Sequence, residues 1–125
     1  MKARSFPISL RHAIAGIAAA WRTERNFRVH VILAILVAAA IGVLRPSPVW
    51  CAILILTIGV VLALELVNAA LEALVDHMHP ENHPRIKVVK DMAAAAVLVA
   101  ALASLLIGGL MAVDTVALRN AWGFV

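Results

Sequence analysis

Three long apolar runs decide what this chain can fold into. Residues 29–44 are apolar except for His30, residues 49–76 gather their acids toward one end, and residues 90–113 hold only Ser104 as a polar group after Lys90 and Asp91. A soluble domain of 125 residues leaves too much of its surface in water to hide such runs. Composition agrees: 64% of the residues are hydrophobic and 14% charged, against about 45–50% and about 25% in an average soluble domain. Disorder is excluded by the same numbers, and a disulfide scaffold is excluded because Cys51 is the only cysteine. The bilayer remains as solvent. At ~1.5 Å per residue the first run covers ~24 Å, and Phe27 with its neighbours extends it toward the ~30 Å of a hydrocarbon core. The reading expects one domain over 1–125, of all-α membrane class, with spans over about 27–44, 49–75 and 89–113.

Residues 1–28 are the most basic stretch, with Lys2, Arg4, Arg11, Arg22, Arg25 and Arg28 against the single acid Glu24. Leu10, Ile14, Ile17 and Trp21 recur at helical spacing, and Arg4, Arg11 and Arg22 fall off that stripe. This predicts an amphipathic helix over about 7–23 lying in the membrane interface, its cations reaching lipid phosphates. No A-x-A-like site follows a short apolar core, so no cleavable signal is expected. Arg45-Pro46-Ser47-Pro48 reads as a turn, and residues 77–87, with Pro80 and Pro84, as a loop. Gly108-Gly109 suits close helix contact, and residues 114–125 form a short tail.

The cations set the orientation. Six lie before the first span, and Arg85, Lys87 and Lys90 follow the second, against Arg45 and Arg119 on the other side. That asymmetry places the N-terminus and the second loop in the cytoplasm. Nucleic acid is not an expected partner despite the net charge of +4, because the cations are few and no stacking platform of aromatics is present.

The chemistry lies in the second span. Glu65, Asn68, Glu72 and Asp76 stand at i, i+3, i+7 and i+11 and fall within an arc of about 80°. A polar stripe can hold one helix to its neighbour through hydrogen bonds, which Asn68 alone would satisfy. Three acids on one face repel unless protonated or bound to a cation, and intramembrane carboxylates are rare and functional. A hard divalent cation such as Mg²⁺ takes one or two carboxylates plus phosphate oxygens, and Glu24 and Glu72 at the same depth could share one. Lys90 could neutralise phosphate charge there, with Asp91 beside it. Glu65, the deepest acid, is placed to take a proton from a lipid alcohol. His77, His79 and His83 lie in a Pro-broken loop without a Cys partner, a weak transition-metal signal. No Walker-type glycine loop is present, so ATP would be held by side chains and the loop.

These motifs resemble the prokaryotic diacylglycerol kinase family, small integral-membrane lipid kinases that include undecaprenol kinases. The matching stretches are A-W-R-T-E-R-N-F-R at 20–28, E-L-V-N-A-A-L-E-A-L-V-D at 65–76 and K-D-M-A-A-A-A-V-L at 90–98. The resemblance implies a surface helix plus three transmembrane helices, a homotrimer, and composite active sites between neighbouring subunits in the bacterial cytoplasmic membrane. It implies that Glu65 accepts the proton of the lipid hydroxyl and that Glu24 and Glu72 hold Mg²⁺. Lys90 and Asp91 would bind ATP, with Glu81, Asn82 and His83 near the nucleotide and Asn68 and Asp76 in support. Where diacylglycerol-specific members have Met-Gly-Ser after the Lys-Asp pair, this chain has Met92-Ala93-Ala94. T-E-R-N-F-R-V-H at 23–30 looks more like the polyprenol-phosphorylating branch, so the substrate expectation leans to undecaprenol over diacylglycerol. Two other readings compete: a small proton-coupled multimeric transporter cycling a proton on Glu65, and a structural anchor subunit.

Overall fold

A computed structural model describes residues 6–79, 81 and 83–121, with side chains to residue 118. All its elements are helices: α1 (Phe6–Thr23), α2 (Arg25–Leu44), α3 (Pro48–Met78) and α4 (Pro84–Ala121). The last three are each long and apolar enough to cross a membrane. At ~1.5 Å per residue, the 20 residues of α2 measure ~30 Å, one hydrocarbon core. The 31 residues of α3 measure ~46 Å, which leaves about ten residues beyond the core.

Helix boundaries follow local chemistry. Helices α1 and α2 are separated by Glu24 alone, whose extended backbone (φ −98°, ψ 113°) turns the chain. Its N–H still closes α1 on the carbonyl of Ala20 at 2.8 Å, while its carbonyl accepts the first bond of α2 from the N–H of Arg28 at 3.4 Å. Arg28 also folds its guanidinium back onto the carbonyls of Trp21 and Arg22, at 3.0 and 3.2 Å. A cation on the open carbonyls of a helix C-terminus satisfies them and complements the dipole. Helix α2 ends at Arg45 in the left-handed region (φ 47°), its N–H bonded to the carbonyl of Ile41. Proline opens both α3 and α4, in the first turn, where its missing N–H costs nothing.

That tolerance changes two expectations. Residues 84–87 belong to α4, and His77 to α3, so the loop expected over 77–87 contracts to a short connection after Met78. At the other end α4 continues through the stretch expected as a tail, to Ala121.

Helix α3 is the centre of the chain: it packs on α4 most extensively, on α2 next, and on α1 at one end. Few side chains are buried among the described residues. They are Ala20, Phe27, Leu54, Val61, Ala69, Val97 and Met111, joined by the polar Glu65, Asn68 and Thr115. Most large apolar side chains face outward, the arrangement lipid favours and water does not. Hydroxyls within the spans are satisfied locally: Thr57 donates to the carbonyl of Leu54, Ser104 to that of Ala100, and Thr115 to the sulfur of Met111.

Between α2 and α4, floored by α3, runs an apolar groove of about 460 Å³. His30, Leu33 and Val37 line one wall, Leu54, Ile58 and Val61 the floor. Gly108 and Gly109 also line it, and a Cβ at either would meet open space. They therefore line the groove and make no close helix contact within the single chain.

Candidate active site

The polar face of α3 is graded by depth. The side chain of Glu65 is 4% exposed, that of Glu72 44% and that of Asp76 62%. Asn68 is buried beside Glu65. Eleven residues of helix thus carry carboxylates from the packed interior to the open end over ~16 Å. Helical spacing puts all four groups on the face that continues, below Glu65, as the groove floor.

Antiparallel packing of α4 on α3 brings Lys90 to this face. Its ammonium donates to both carboxylate oxygens of Asp76, at 3.0 and 3.1 Å, and lies 3.4 Å from Glu72. Three groups singled out in the sequence therefore meet: Glu72, Asp76 and Lys90. Asp91 stands apart from them. It pairs with Lys87 one turn earlier on the exposed side of α4, at 2.7 Å.

The elbow between α1 and α2 sets Glu24 at the same end. Its carboxylate accepts a hydrogen bond from the Thr23 hydroxyl at 3.0 Å. Glu24 and Glu72 both lie within electrostatic range of Glu65. Two carboxylates are the donor set a hard divalent cation takes when phosphate oxygens complete its shell. Among the described residues no group of three His, Cys, Asp or Glu side chains could hold a metal by itself, so the histidine loop forms no such site there. Glu81 and His83 are exposed and line a pocket of about 500 Å³ with His79 and Arg85 at the α3–α4 connection. Asn82 lies outside the described residues.

One residue of the site escaped the sequence reading. His30, on α2, places Nε2 4.0 Å from Oε2 of Glu65. Among the described residues it is the only basic side chain within ion-pair distance of that carboxylate. The signal was available, since His30 is the sole ionisable group in an apolar run, but the register between α2 and α3 is invisible in one sequence.

Residues 11–112 match the family model for prokaryotic diacylglycerol kinase. The chain belongs to that family. It is 42% identical to a diacylglycerol kinase of Synechocystis over 103 residues, 82% of this chain and 59% of that protein. The chain thus spans well under two thirds of that relative. It is 41% identical to an undecaprenol kinase of Bacillus subtilis over 100 residues, 80% of this chain and 81% of the relative. A diacylglycerol kinase of Escherichia coli is 38% identical over 88 residues, 68% of this chain and 70% of the relative. The expected family membership is borne out, and these kinase relatives do not favour the transporter reading.

Proposed function

We propose that this chain transfers the γ-phosphoryl group of ATP to a membrane lipid alcohol at the cytoplasmic face of a bacterial inner membrane. The observation that carries the reading is the graded acid face of α3. It rises from a buried carboxylate at the head of an apolar groove to a carboxylate–ammonium cluster at the open end. A lipid chain in the groove would present its hydroxyl at the depth of Glu65, and a water-borne nucleotide would approach from the side of Lys90.

Phosphoryl transfer asks a protein mainly for positioning and charge neutralisation. Glu65 takes the proton of the lipid hydroxyl as general base. Glu24 and Glu72 hold Mg²⁺, which when bound neutralises charge on the phosphate oxygens. Lys90, pre-oriented by Asp76 and Glu72, turns its ammonium to the phosphates. Asn68 steadies Glu65 and Glu72 from between them on the same face. Asp91, Glu81, Asn82 and His83 border the nucleotide. Helix α1 lies in the interface with Leu10, Ile14, Ile17 and Trp21 toward lipid, and the N-terminus is cytoplasmic. Three copies assemble, neighbouring subunits completing each site, which accounts for the small core of the single chain.

The substrate class is a primary lipid alcohol, undecaprenol or diacylglycerol. The lean is to undecaprenol, because Ala93 and Ala94 offer no hydroxyl where a glycerol backbone would need one. Thin-layer separation of lipids after incubation with γ-labelled ATP tests the proposal. Label in a lipid phosphate is expected, and its absence for both alcohols rejects the reading.

A further inference from the structure

His30 stands between the groove and the buried acid. It lines the groove wall, and its Nε2 lies 4.0 Å from Oε2 of Glu65. The side chain of Glu65 is 4% exposed and that of His30 19%. Glu65 does not line the groove, whereas Leu54, Ile58, Val61 and Leu62, which lead up to it at helical spacing, do. A hydroxyl arriving along the groove therefore meets the imidazole before the carboxylate. A carboxylate this deeply placed is costly without a partner, and an imidazole has two nitrogens, one to donate and one to accept.

We propose that His30 relays the proton from the lipid hydroxyl to Glu65, an inference that rests on the kinase reading above. The relay uses the tautomer with hydrogen on Nε2, toward the carboxylate, and Nδ1 as acceptor. The hydroxyl O–H bond breaks and its proton passes to Nδ1 while the Nε2 proton passes to Oε2 of Glu65. The alcohol oxygen bonds to the γ-phosphorus as the bond from that phosphorus to the bridging oxygen breaks, and ADP leaves with that electron pair. The products are the lipid phosphate, ADP, the imidazole in its other tautomer and a protonated Glu65; the resting state returns when Nδ1 gives its proton to water and Glu65 gives its proton back to Nε2. The 4.0 Å separation is of the loose kind that closes when substrate is bound. Glu65 thus remains the final base, and His30 is the group that touches the alcohol.

The test compares His30→Ala, His30→Gln and Glu65→Gln in detergent micelles with undecaprenol and Mg-ATP, each first checked for wild-type elution and helicity. Both His30 variants are expected to lose about 100-fold or more in kcat, the usual worth of a positioned acid–base group. Lipid KM is expected to change by no more than about threefold, because the contact is made at the reacting atoms. Free imidazole is expected to restore part of the kcat of His30→Ala and none of that of Glu65→Gln. Should His30→Ala fail to fold, the kcat and KM of His30→Gln decide. A His30→Gln variant that turns over near the wild-type rate overturns the relay, as does a loss confined to KM or a folded His30→Ala that imidazole leaves inactive. Full activity in Glu65→Gln would instead overturn the general-base reading, so the two failures are distinguishable.

Discussion

Glu65 is buried, with the His30 imidazole 4.0 Å from its carboxylate. Replacement by Gln keeps the shape and removes the proton acceptor. Glu65→Gln should therefore assemble normally, with turnover down by about 100-fold or more in a labelled-ATP assay. Unchanged turnover would remove Glu65 as the base. Glu24 and Glu72 make a different prediction, because their role is affinity for a cation. Glu24→Ala and Glu72→Ala should each move the Mg²⁺ midpoint of activity upward by about tenfold or more, since even outer partners of a metal contribute that much. Superimposable metal titrations would sink the shared-cation proposal. Asp91 shows how far adjacency in sequence can mislead at this scale. It follows Lys90 directly, yet a helix turns successive side chains ~100° apart, and Asp91 faces Lys87.

Among the elements, the elbow at Glu24 depends on Arg28, which closes the end of α1 from the first turn of α2. Both bonds are exposed, so their net worth is about 1 kcal/mol. Arg28→Ala should accordingly speed amide hydrogen exchange at residues 22–25 by about fivefold, with a fall in kcat as Glu24 loses its place. Unaltered exchange would show that the elbow holds without the guanidinium. The three spans were legible in the sequence because apolar runs of bilayer length leave few other folds. So was the acid face, which needs only helical periodicity. The extent of α4 was not. Pro84 reads as a breaker in a polar stretch, but in a first turn it is an acceptable start. Past Val113, the chain stays helical because nothing in Asp114–Leu118 breaks it. The partnership of His30 with Glu65 was out of reach for a further reason: pairing across helices depends on packing register, which one sequence does not encode locally.

At the level of the whole molecule, a chain with so few buried side chains and so many outward-facing Leu, Ile and Val residues among those described has a large apolar surface for lipid, part of which the proposed trimer would cover. Native mass spectrometry from mild detergent should find three copies, and a chain that remains monomeric while active would contradict the trimer. The central claim, that the graded face of α3 joins a lipid alcohol to ATP, is tested most directly by one assay. Purified protein receives γ-labelled ATP and Mg²⁺ with undecaprenol, with diacylglycerol, or with no lipid. The expected result is label in the lipid phase, stronger for undecaprenol and lost in Glu65→Gln. Label no higher with either alcohol than in the no-lipid control would contradict the account.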